Sequence, residues 1–195
     1  MKTSLLRVIG MIVILFPHIA RGVVVAGNDR FYEESQIHRL KAPLNGTFLS
    51  EGGLSFTITT SDDDFYCISP TIAGDSWINS IKFKCVLFSY DGKLWADLFM
   101  EGGEIKSGID LSADEIELAK SGVHYLVRFA LDKNQAGVSS AVDTLIAKLP
   151  KEGIRLEKGV VIVNVKTLKP ARAMTELFGF FQEPVMLFKK WYDPE

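Results

Sequence analysis

The chain predicts a single α+β domain, with a mainly antiparallel sheet and two or three helices packed on it, and three observations carry that expectation. Segments with period-two alternation fill its first half, an Asp-Gly pair joins two of them, and amphipathic helical spacing appears in its second half.

The first 22 residues read as an export signal. Lys2 and Arg7 give a positive start, and Val8 to Phe16 gives an apolar run of nine residues that ends at Pro17. A membrane span needs about 20 apolar residues, so removal is expected rather than anchoring. The small-residue rule allows cleavage after Gly22, with Ala20 at the −3 position, or after Ala26, with Val24 there. Residues 23–53 are expected as an extended or mobile lead-in, because Gly27 to Asn45 is polar and has no sustained period. Residues 54–195 then form the single α+β domain.

Leu54, Phe56 and Ile58 alternate with Ser55, Thr57 and Thr59, the pattern of a strand with one buried face. Phe65 to Ser69 reads as the return strand, stopped by Pro70. The next pair, Ile81 to Met100, turns at Asp91-Gly92, a strong two-residue signal for a tight hairpin. That register sets Phe88 opposite Trp95, Cys85 opposite Leu98 and Lys82 opposite Glu101. Ser112-Ala113-Asp114-Glu115 is a capping box that starts a short helix, and Gly122 ends it. Val123 to Leu131 alternates again. Val138, Ala141, Val142, Leu145, Ile146 and Leu149 recur at three-and-four spacing, which predicts a helix stopped by Pro150. Val160 to Val165 is apolar on both sides except Asn164, as in a strand covered on both faces. Pro170 fits the first turn of a helix with Met174, Leu177, Phe178 and Phe181 on its apolar stripe, and a last strand follows at Val185 to Phe188.

Removal of the signal takes Lys2, Arg7 and Arg21 with it, so 22 basic residues become 19 against 24 acidic ones, a net charge of −5. With no basic stripe, a nucleic-acid partner is disfavoured, and so is electrostatic attachment to anionic lipid. Cys67 and Cys85 are the only cysteines. In an oxidising compartment an even count predicts a disulfide, and their separation of eighteen positions excludes a Cys-x-x-Cys redox motif.

Signals for chemistry are sparse. The mature chain has only His38 and His124, neither with a second metal-ligand type at zinc-site spacing, so no metal is expected. His124, opposite the buried face of its strand, reads as a surface histidine. Asp62-Asp63-Asp64 lacks the central glycine and closing glutamate of a calcium loop and reads as a solvated turn. A general acid and base pair could be drawn from Asp62, Asp63, Asp64, Asp97 or Glu101. Ser139-Ser140 is not in a nucleophile elbow, and the glycine pairs lack the phosphate-binding patterns, so no cofactor is expected. Asn45-Gly46-Thr47 matches the glycosylation acceptor, with meaning only in a eukaryotic source.

Trp77 in a polar loop and Trp191-Tyr192 in a charged tail are the candidate binding residues, because core packing does not obviously demand them there. Together these features predict an exported protein, periplasmic or secreted, without a stable membrane anchor once the signal is gone. Its expected role is a binding module for another protein: an inhibitor, an immunity-type protein or an accessory subunit of an envelope assembly. The alternative is an envelope hydrolase that uses scattered carboxylates or His124. A carrier of an apolar ligand would need a pocket between sheet and helices.

Overall fold

The structure is a computed structural model that describes residues 22–50, 55–61, 65–71, 82–100, 122–132, 135–139, 141–142, 152–157, 160–177, 179, 181 and 186–190. Its strands are β1 (Gly22–Gly27), β2 (His38–Arg39), β3 (Gly46–Leu49), β4 (Ser55–Thr60), β5 (Tyr66–Thr71), β6 (Phe83–Tyr90) and β7 (Lys93–Met100) in the first half. β8 (Val123–Asp132), β9 (Gln135–Ser139), β10 (Ala141–Val142), β11 (Ile154–Glu157), β12 (Val160–Val163) and β13 (Met186–Lys190) follow. Two short helices, α1 (Val165–Leu168) and α2 (Pro170–Leu177), are the only α-helices among the described residues. The chain is therefore mainly β, and the α+β expectation is corrected.

β3 to β9 form an antiparallel meander in chain order, and β13 pairs with both β9 and β3. Eight strands thus close into a ring, which leaves no open edge within it. Side chains can fill a ring of this size, and the described ones that project inward pack against one another. Phe48 stacks on Phe56 at 5.3 Å between centroids, and Phe83 meets Tyr125 edge-on at 6.3 Å. Ile58, Tyr66, Cys85, Leu87, Ala96, Leu98, Val127 and Phe129 complete this interior. Leu40 and Leu44 pack against it too. Their segment is tied to the ring by the Tyr66 hydroxyl, 2.9 Å from the Leu40 carbonyl and 2.8 Å from that of Ala42, and by the Leu44 amide, which donates to Thr60 Oγ1.

A second core lies on the outer face of β6, β7 and β8. Val86, Phe88, Trp95 and Leu126 project there and are covered by Phe31, Tyr32 and Ile37 from one segment and by Val165, Leu168, Met174, Leu177 and Phe181 from the other. Tyr32 packs on Phe88 at 4.5 Å, and Phe181 meets Trp95 edge-on at 5.0 Å. Along one edge β8 pairs continuously with β7. Along the other it divides, with Tyr125 and its neighbours paired to β1 and Arg128 to Asp132 paired to β9. β1 then pairs in parallel with β12, which carries β11 beyond it.

The Asp91-Gly92 hairpin forms as the sequence predicts. Both residues have positive φ, 48° and 70°, as a tight two-residue turn of this kind requires, and Phe88 stands opposite Trp95 and Cys85 opposite Leu98. Lys82 is described but Glu101 is not, so that pair lies outside the described residues. The helix expected from Val138 is not formed: residues 135–139 and 141–142 are strand. Ring closure decides this, since β9 must supply hydrogen bonds to β8 and β13 at once. The rest of that helix and the capping box at Ser112 lie outside the described residues. The lead-in is also corrected. Val25, Ala26, Phe31 and Tyr32 are buried, and β1, β2 and β3 lie within it. The helix at Pro170 forms with Met174 and Leu177 buried, while Asn164 lies outside the strand and caps α1, accepting from the Thr167 amide.

The expected disulfide is absent. Cys67 opposes Lys84 and Tyr66 opposes Cys85, so the two cysteines project from opposite faces of the sheet, Cys67 outward and Cys85 into the ring, and both thiols are free. Burial pushes the Cys85 thiol well above its ordinary ionisation range. Native protein treated with a disulfide reagent should therefore release one equivalent per chain, from Cys67, and a second only on unfolding. Failure to find two thiols in unreduced, denatured protein would contradict this arrangement.

Candidate functional site

The strongest cluster of polar side chains in the described structure sits on the outer face of β7 and β8. Period-two alternation sends Trp95, Asp97 and Phe99 outward from β7 and His124, Leu126 and Arg128 outward from β8. Phe99 and His124 are directly opposed, so their rings meet at 4.6 Å. Asp97 lies two residues along the same face. Its carboxylate oxygens are 2.9 and 3.0 Å from His124 Nδ1.

That contact fixes the imidazole. Asp97 is 2% exposed and His124 keeps 13% of its side-chain surface, so the carboxylate is sealed from solvent while the histidine keeps some contact with it. With Nδ1 held by the carboxylate as donor, Nε2 is left as the acceptor available to an incoming group. A buried carboxylate that orients a partly exposed imidazole is the arrangement a general base requires. His124 is therefore not the plain surface histidine that the alternation predicts.

Tyr32 lies over this face. Its hydroxyl is buried without a hydrogen-bond partner, and its ionisation is pushed far up, first by burial and then by the Asp97 charge, against smaller opposing effects of Arg30 and Arg39. Arg128 on β8, 8% exposed, is a second buried charged residue on this face. Glu34 bonds both Arg30 and Arg39 at the surface of the covering segment. The Arg39 hydrogen bond is the main reason the Glu34 carboxyl titrates below its usual range. Arg39 also lies over the Phe65 ring at 5.7 Å.

Of the acids weighed from the sequence, Asp97 alone is placed with His124. Asp62, Asp63, Asp64 and Glu101 lie outside the described residues. So do Trp77, Trp191 and Tyr192, the three candidate binding residues. His38, on β2, is exposed. No group of three or more His, Cys, Asp or Glu among the described residues could hold a metal ion. Tyr32 and Arg128 were not singled out by sequence. The available signal was Asp97 itself, a charge at an alternating position between Trp95 and Phe99.

The outer face of β3, β4 and β5 differs in chemistry. Thr47, Thr57 and Ser69 form one row across the three strands, with Thr47 and Thr57 hydroxyls 2.9 Å apart, and Leu49, Ser55 and Thr71 form the next. These side chains are partly or fully exposed. An open depression of about 370 Å³ beside the hairpin tip is lined by Gln36, Tyr90, Asp91 and Thr175.

Comparison with known proteins finds no match among family profiles, curated sequences or solved structures.

Burial gives one pH dependence. Tyr32 and Tyr125 are held neutral by desolvation, with folded ionisation well above the ordinary 10.0. The unfolded chain then loses protons at a lower pH than the folded one, so this contribution is complete below about pH 10 and is lost as pH rises above it. In an alkaline titration followed by tyrosinate absorbance, at most three of the five tyrosines should ionise before unfolding begins. Full ionisation of all five with the fold intact would contradict this burial.

Proposed function

We propose that this protein is an exported binding module whose surface, rather than an internal pocket, meets another protein. The observation that supports this most is the filled ring. Tyr125, Cys85, Ile58 and Ala96 are completely buried against one another's neighbours in the interior, so the space a small ligand would take in such a ring is occupied by the chain itself. The face over β6 to β8 is covered by helices and by residues 28–40. Among the described residues, a surface open to a partner is the partly exposed hydroxyl-bearing face of β3 to β5. Trp77 and Trp191-Tyr192 stay in this proposal as aromatic anchors.

A second reading has its own observation. The Asp97 and His124 geometry suits a general base, so an envelope hydrolase that uses His124 is the alternative.

Capture of the mature protein's partner from an envelope extract, followed by affinity measurements on variants, tests the first reading. Thr57→Arg, Trp77→Ala and Trp191→Ala are the probes. At least one should weaken binding by about 2 kcal/mol, roughly thirtyfold, with the melting temperature unchanged. Normal binding by all three would defeat the surface reading. Hydrolysis of an envelope substrate that is lost in His124→Gln, with the fold retained, would establish the second.

A further inference from the structure

We infer that export removes residues 1–22 by hydrolysis of the Gly22–Val23 peptide bond, and that the other small-residue candidate, the bond after Ala26, is not a processing site. This rests on the export proposed above. Sequence leaves the two bonds open; the position of β1 separates them.

Val24 to Gly27 pair in parallel with Val160 to Val163, and Val25 to Gly27 pair antiparallel with Leu126 to His124. β1 is thus the strand that joins β12 and β11 to the ring. Val25, 1% exposed, belongs to the helix-covered core, and Ala26, 0% exposed, belongs to the ring interior, so a cut after Ala26 removes a wall from both. It would also place a new ammonium group on Gly27. That residue is buried, and a Cβ built on it would lie 2.7 Å from the Phe31 ring and 3.0 Å from a Val165 methyl. The Cβ distances show how closely the chain packs around Gly27, and an ammonium created on a residue buried in this way is disfavoured because it loses its hydration. The next residue is equally committed, since Asn28 Oδ1 accepts from the Val165 amide at 2.9 Å and its Nδ2 donates to Asn164 Oδ1 at 3.2 Å, which fixes the start of α1.

A cut after Gly22 spares all of this. Every β1 residue paired with β8 or β12 is retained, and only the pairing of Gly22 with Val142 is lost. In the step itself, water adds across the Gly22–Val23 amide and yields the Gly22 carboxylate and the Val23 ammonium, with the signal peptidase of the exporting cell as catalyst. The bond lies at the first residue of β1. It must therefore be cut while that strand is still unpaired, before β1 enters between β8 and β12.

The test is to express the full-length chain in an exporting bacterial host, recover it from the periplasm or medium, and determine its N-terminus by sequential degradation and intact mass. The expected first residue is Val23. A mature chain beginning at Gly27, or anywhere between Val24 and Gly27, overturns the inference. Recovery only in the cytoplasm with Met1 in place overturns the export reading beneath it, a different failure with a different signature. As an independent measurement, chains produced to begin at Val23 and at Gly27 are compared by thermal unfolding. The first should unfold cooperatively and the second should show no cooperative transition. Equal melting temperatures for the two would also overturn the inference.

Discussion

The structure depends on how β8 divides its hydrogen bonds. One edge of this strand is committed to β7 from Val123 to Phe129, while the other serves β1 with its first half and β9 with its second. The fork lets one strand belong both to a closed ring and to the sheet that carries β12 and β11. It also sets the two cores. Residues that alternate inward from β8, such as Tyr125 and Phe129, fill the ring, while Leu126 faces the helices on the other side. A strand buried on both faces shows reduced polar alternation, and Trp95 and Phe88 on the neighbouring strands obey the same constraint.

Hydrogen bonding explains what the sequence reveals of this fold and what it hides. The β6 to β7 register was legible because the turn and both flanking strands are contiguous, and Asp91 and Gly92 carry the positive φ that only a few residue types tolerate. The strand at Val123 and the helix at Pro170 were legible for similar local reasons. β9 was not. Its small and β-branched residues also satisfy a helical period, and only β8 and β13, distant in sequence, select the extended form. β1 was hidden because Val23 to Ala26 read as part of a cleavage region, whereas Val25 and Ala26 are apolar because they are buried in the two cores.

The candidate site was legible only in part. Asp97 and His124 were each visible as residue types, but their meeting depends on the β7 to β8 register across residues 101–121, for which sequence has no rule. The cysteines failed for a related reason. An even count in an oxidising compartment is a statement about chemistry, while pairing is a statement about geometry, and one residue of register sends Cys67 and Cys85 to opposite faces. The sulfur atoms therefore differ in environment as sharply as a surface and a core can.

Closure of the ring by β13 has a consequence for biosynthesis. β3 and β9 are synthesised long before residues 186–190, and each waits for β13 with one edge unpaired. As the nascent chain leaves the ribosome, those two edges are open to neighbouring chains, the condition under which strands associate intermolecularly. A premature stop between β9 and β13 would make the exposure permanent. Truncation products of this protein should then be lost to aggregation and proteolysis rather than persist as partly active fragments.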